Sequence, residues 1–238
     1  MAVLQVYAEV GEDGGCLLFT SDPPGLLCRG QNVAGALAAG SSEASQLRHF
    51  LAECDCLGLL KDQWSPVETP QIDIIETISR RGVVANGNTR ATFRRDLEPV
   101  IPNELPGFLT ILEHLRDTLW TLKGRIPLDA YDFRSLPRRM TIGEQLKHIA
   151  ACDRWYLSRF WTDLPRLRNS TDVWDRLALN RNLALERLGN LTAEERAAVR
   201  TADREVWTPR KLFRRFMYHE RFHRDTIVRD LELFRSGR

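Results

Sequence analysis

The hydrophobic period changes once along the chain, and this change constrains the fold more than any other feature. From residue 105 onward, apolar side chains recur every three or four positions: Leu105, Phe108, Leu112, Leu115, Leu119 and Leu122, then Ile142, Leu146 and Ile149. That spacing lines one face of a helix, which must be buried against other helices. Before residue 100 the apolar runs are short. Leu4–Val10 and Cys16–Thr20 flank a Gly-Glu-Asp-Gly-Gly connection, the pattern of a β-hairpin. The two regimes meet at DLEPVIPNELPG, residues 96–107, whose three prolines mark a linker. The chain therefore reads as an α+β N-terminal domain over residues 1–98, followed by an all-α four-helix bundle over residues 104–238.

Within the first domain, Asp22-Pro23-Pro24-Gly25 is turn chemistry, and Leu26–Arg29 follows it as a third strand. Asn32 is placed to cap a helix that runs to about Cys54, with a break at Gly40-Ser41-Ser42. The β-branched stretch Ile72–Ile78 predicts a returning strand. A second stretch near Val83–Phe93 predicts a hairpin partner, with Asn86-Gly87 at the turn. This order, with PPGLLCRGQNVAGAL at its centre, resembles the HicB-like antitoxin domain over about residues 1–60. The resemblance implies a protein partner for the N-terminal domain. A small α+β module for dimerisation or for covering the bundle fits the same residues.

The formal charge of +2 hides an asymmetry. Residues 1–99 carry 8 Lys and Arg against 13 Asp and Glu, whereas residues 100–238 carry 26 against 19. Opposite signs fit two separately folded units. Acidic residues are interspersed through the basic half, which argues against nucleic acid as a partner, and the dense patch Arg210, Lys211, Arg214 and Arg215 reads as a helix rim. No apolar run is long enough for a transmembrane helix, and MAVLQVYAEVGEDGG lacks the pattern of a signal peptide, so a cytoplasmic protein without membrane association is expected. Five scattered cysteines, Cys16, Cys28, Cys54, Cys56 and Cys152, read as reduced thiols. Cys54 and Cys56 form a C-x-C with no second pair at zinc-site spacing.

The helical half carries clear start and stop signals. Thr141 with Glu144, and Thr192 with Glu195, are capping-box pairs. Asp172 opens a helix that closes at Gly189-Asn190, and Thr208-Pro209 opens the last, with proline in its favoured first position. The first helix of the half closes at Gly124.

The inward stripe of the last helix reads Leu212, Phe216, His219, His223, Ile227, Leu231. Two histidines thus occupy core positions one turn apart, close enough for both rings to reach one ion. Burying two imidazoles without partners costs a few kcal/mol. A shared metal removes that cost, as would hydrogen bonds or a wet bundle end, and on these two residues alone the readings stand level. Imidazole suits zinc, nickel or iron(II). The segment His219-Glu220-Arg221-Phe222-His223 also spells H-E-x-x-H, the zincin signature. A metzincin needs a glycine and a third histidine where this chain has Thr226 and Arg229, and the glutamate of a gluzincin would lie beyond the last residue. A third ligand must come from earlier in the chain. His148 is available on the second bundle helix, between Glu144 and Cys152 on its own face. His114, with Asp117 beside it, is a weaker candidate, and His49 reads as a surface residue.

Residues 140–161, MTIGEQLKHIAACDRWYLSRFW, and 207–227, WTPRKLFRRFMYHERFHRDTI, resemble the two signature helices of the DinB-like family. Met140-Thr141-Ile142-Gly143-Glu144, His148-Ile149-Ala150, Asp153 and Trp155 or Tyr156 match its second helix; His219, His223 and Arg224 match its last. Met140 stands where relatives have tryptophan, and Thr226 where many have glutamine. The resemblance covers about residues 104–234 and implies His148, His219 and His223 as ligands of a divalent metal, zinc or nickel first and iron(II) next. Three ligands leave a coordination position open, as catalytic sites do. The family resemblance further implies hydrolysis or thiol transfer on a small-molecule substrate, and a homodimer. Asp153 and Glu220 are candidate acid–base groups, and Trp155, Tyr156, Arg159 and Arg224 candidate substrate contacts. For each, an ordinary packing or salt-bridge role is the competing reading. A non-catalytic, metal-stabilised binding protein working through residues 1–98 is the alternative function. A nuclease has little support, because no carboxylate-rich two-metal cluster can be read from the residues.

Overall fold

The computed structural model describes residues 3–22, 24–37, 42–60, 71–84, 86–87, 89–136 and 139–237. The chain divides into two compact units, Met1–Glu98 and Pro99–Arg238. The first is a sheet region and the second a helical region.

In the first unit, β1 (Val3–Gly11), β2 (Cys16–Ser21), β3 (Pro24–Gly30) and β4 (Gln71–Arg80) form one sheet in the order β3-β2-β1-β4. The first three strands are antiparallel neighbours, and β4 returns parallel to β1. A parallel return needs a crossover, and α1 (Val33–Leu37) and α2 (Ser42–Cys56) lie on that path. The break expected at Gly40-Ser41-Ser42 falls mostly outside the described residues. Alternation divides the sheet faces. Leu4, Val6, Ala8, Cys16 and Leu18 pack with Ala36, Leu47, Phe50 and Leu51 of the helices. On the other face, Tyr7 and Phe19 meet Phe93 at ring separations of 5.3 and 5.8 Å.

That second face corrects the hairpin expected near Val83–Phe93. The described residues of the segment form no strand and lead into a 3-10 turn at Arg94–Leu97. The cause is Glu9, which is fully buried on β1 and accepts the backbone N–H groups of Arg90 and Ala91 at 3.0 and 3.3 Å. It also takes the Thr89 hydroxyl and pairs with Arg80. The N–H groups of residues 90 and 91, committed to a carboxylate, are not free to build a strand ladder.

In the second unit, four long helices pack on one another: α3 (Leu105–Trp120), α4 (Ile142–Ser158), α5 (Val173–Gly189) and α7 (Pro209–Arg235). Their shared core includes Leu119, Leu146, Ile149, Leu177, Ile227 and Leu231. α3 ends at Trp120, one turn before the expected Gly124, because residues 121–125 tighten into successive turns. The caps behave as their chemistry dictates. The Thr141 hydroxyl accepts from the Glu144 N–H while the Glu144 carboxylate accepts from the Thr141 N–H, and Thr208 accepts from the Lys211 N–H. Between α5 and α7 lie the short α6 (Ala193–Ala197) and a hairpin of β5 (Arg200–Ala202) and β6 (Glu205–Trp207), which the hydrophobic pattern does not signal. Its turn is Asp203-Arg204, both at positive φ, as a two-residue type I′ connection requires. No helix among the described residues is long and apolar enough to cross a membrane.

Candidate metal centre

α4 and α7 pack side by side, and their inward faces bring His148 to His219 and His223. The ring centre of His148 lies 4.9 Å from those of both partners, and His219 and His223 are 4.5 Å apart, one turn along α7. The Nε2 atoms of His148 and His219 approach to 3.1 Å. Cys152, one turn after His148 on α4, places its Sγ 3.5 Å from His148 Nε2. Donor atoms of His148, Cys152 and His219 all lie within 4.8 Å of one another. Cys152 is not among the ligands expected from the sequence, although its i, i+4 spacing from His148 carries the same signal as the histidine pair on α7.

Burial sets the protonation of this group. His219 is held well below the ordinary histidine range by desolvation first, then by repulsion from His223 and His148 whenever they are protonated, and by the Arg215 and Arg181 charges nearby. His223 is pushed down to about 3 by burial and then by His148. His148 is lowered by burial alone. Three neutral imidazoles therefore stand together at neutral pH, with lone pairs available. Burial and the neighbouring Asp153 push the Cys152 thiol up to about 12, although Arg215 opposes them, so this sulfur keeps its proton.

The tautomer of His223 is set by Gln145, a residue that sequence reasoning misses. Gln145 donates from its Nε2 to Asp230 Oδ2 at 3.1 Å, and this turns its Oε1 towards His223 Nδ1 at 3.5 Å. An amide oxygen only accepts, so the proton sits on Nδ1 and the Nε2 lone pair is free. Such an outer partner is the usual way a ligating histidine is oriented.

This donor set suits a divalent ion. Two nitrogens on one tetrahedral ion at ordinary zinc–nitrogen distances stand roughly 3.3 Å apart, close to the observed Nε2 separation. Without an ion, two neutral rings this close must share one proton between two lone pairs.

Asp153 and Glu220 are engaged elsewhere. Glu220, next to His219, accepts from Arg116 Nε at 2.7 Å and from Arg181 Nη2. Asp153, next to Cys152, accepts from Arg116 Nη2 at 2.8 Å and from Arg181 at 3.3 Å. The two arginines also donate to the carbonyl oxygens of Leu177 and Leu112. Each of α3, α4, α5 and α7 thus contributes one member to a buried, charge-balanced quartet. Burial alone would raise the Glu220 pKa, but Arg116 and Arg181 outweigh it and hold the carboxylate ionised.

The other expected residues fall at different depths. Tyr156 is buried with its ring 5.6 Å from that of His219, and burial pushes its phenol up to about 12 against the pull of Arg215. Trp155 is 40% exposed and packs edge-on against Tyr156 and Trp207. Arg159 lies over the Trp155 ring and pairs with Asp203 in the β5–β6 turn. Arg224 pairs with Asp225 at 2.7 Å and donates to the Thr118 hydroxyl. His114, on α3, has no place in the His148–Cys152–His219 group, and His49 is an exposed residue of the first unit.

No curated protein matches the chain. A solved structure of a DinB-like protein from Bacillus subtilis shares 19% identity, with a TM-score of 0.44 over 52% of this chain and 91% of that one. A match to the DinB superfamily extends from the middle of α3 to the last third of α7 and includes His148, His219 and His223. The match covers residues 111–227, just under half of the chain.

Proposed function

We propose that residues 104–238 form a four-helix bundle of the DinB-like type in which His148, His219 and His223 hold one divalent ion, and that the chain is a metal-dependent enzyme acting on a small molecule by hydrolysis or thiol transfer. Zinc or nickel is the first expectation for the ion and iron(II) the next. The observation that carries the reading is the convergence of three neutral imidazoles, two of them with Nε2 atoms 3.1 Å apart. When bound, the ion supplies a Lewis-acidic centre with an open position, able to acidify water or a thiol.

The chain's own residues prepare that centre. Gln145 orients His223 through Nδ1. Tyr156 and the surrounding apolar core exclude water from one side of His219. Cys152, with its Sγ 3.5 Å from His148 Nε2, stands beside the centre as a further donor. Asp153 and Glu220 hold Arg116 and Arg181 and have no free oxygen poised for proton transfer, which removes the H-E-x-x-H glutamate from the role it has in zincins.

Elemental analysis of the full chain, purified without a polyhistidine tag, tests this reading. About one ion per chain is expected, lost in His219→Ala/His223→Ala and kept in Cys152→Ser. Absence of metal from the wild type after reloading, or its retention without both histidines, would overturn it. A metal-loaded protein then justifies screening thiol-transfer and hydrolase substrates.

A further inference from the structure

On a different face of α4 from the histidine, α4, α5 and the segment joining them enclose a groove of about 1000 Å³. Its charge is one-sided. Arg154 from α4, Arg166 and Arg168 from the connecting segment, and Arg176 from α5 line it, and no acidic side chain does so among the described residues. Arg154 donates to the Pro165 carbonyl oxygen at 2.9 Å and so ties the segment down. Arg187 does the same through Asp163, and Ser170 through Asp175. Arg168 is neutralised by Asp175 at 3.1 Å. Arg166 and Arg176 have no carboxylate partner among the described residues, and Arg176 is half-buried.

Two uncompensated guanidinium groups and a third nearby, held in one concavity, repel one another and concentrate a positive potential there. In the buried quartet of the same unit, by contrast, every arginine is matched by a carboxylate. Guanidinium forks recognise oxyanions in a planar, two-pronged geometry. Trp155, which also lines the groove, adds an apolar aromatic surface at its wall. The volume suits a small molecule, and the interspersed acidic residues elsewhere provide no basic track for a polymer.

We infer that this groove is a binding site for a small organic oxyanion, a phosphate ester or a dicarboxylate, held by Arg166 and Arg176 with Arg154 fixing the wall between them. It is separate from the three-histidine centre and does not depend on it.

The test is calorimetric titration of the full chain with inorganic phosphate and, separately, with succinate, at constant ionic strength in chloride. Saturable binding of at least one anion is expected, weakened about tenfold or more in Arg166→Ala/Arg176→Ala and unchanged in His219→Ala/His223→Ala. Binding of phosphate alone assigns a phosphoryl ligand, and binding of succinate alone a carboxylate. Arg176→Lys, which keeps the charge but loses the fork, should weaken binding by a smaller factor and guards against misfolding of the double variant. Absence of saturable binding of either anion, equal affinity in the arginine variant, or loss of binding in the histidine variant would overturn the proposal. Tighter binding of a single-stranded oligonucleotide, with a strong salt dependence and no competition by phosphate or succinate, would do so too.

Discussion

Glu220→Gln separates the two roles that an H-E-x-x-H glutamate can have. In a zincin the glutamate is a proton carrier, and its amide leaves the fold intact while abolishing turnover. Here Glu220 is 1% exposed and takes hydrogen bonds from Arg116 Nε, Arg116 Nη2 and Arg181 Nη2. The amide keeps one acceptor oxygen but turns an NH2 group towards a guanidinium. The quartet then holds two arginines against Asp153 alone, leaving one net positive charge in the interior. Breaking a buried pair costs about 3–5 kcal/mol, and the retained amide oxygen recovers part of it, so a loss of about 3 kcal/mol is expected. For a unit of this size that lowers the melting temperature by roughly 6–12 °C. Five of the six tryptophans lie in the helical unit, so urea unfolding followed by tryptophan fluorescence reports on it directly. Metal content should not change, because Glu220 faces the arginines. An unchanged urea midpoint, or loss of metal with the midpoint preserved, would refute this reasoning.

The same unit supports a pH prediction and a capping prediction. The His223 pKa, pushed down to about 3 in the fold, returns to about 6.5 on unfolding. Between those values the unfolded chain binds more protons, so metal-free protein should lose stability as pH falls from about 6.5, by about 2 kcal/mol at pH 5 from this residue. His219 acts in the same direction. Urea midpoints at pH 7.5 and 5 check this, and a flat profile in the wild type, or one as steep in His223→Ala, would count against it. Thr141→Ala removes the hydroxyl that accepts the Glu144 N–H and should cost about 1 kcal/mol, with Thr141→Ser nearly neutral. A melt that treats both variants alike would show that the cap contributes little.

Local rules make much of this protein legible in its amino-acid sequence. Helical periodicity, two capping boxes and a proline at the first position of α7 predict where helices begin, because each is a relation between residues a few positions apart. The i, i+4 histidines on α7 and the lone histidine on α4 are visible for the same reason. The error near Val83–Phe93 has a different origin. β-branched composition favours a strand, but a carboxylate some eighty residues earlier in the chain claims the N–H groups that a strand would need. Tertiary structure alone decided the fate of the charged residues. Arg116, Asp153, Arg181 and Glu220 have the composition of an ordinary charged surface, and they become a buried quartet only when four helices meet. Gln145 and Asp230 find their place beside His223 in the same way, and the arginine groove exists only because α4, α5 and the chain between them close around one space. Periodicity and caps act within a helix turn, so the sequence alone determines them. Which charge meets which depends on contacts between residues up to about a hundred positions apart, and only the packed chain can select them.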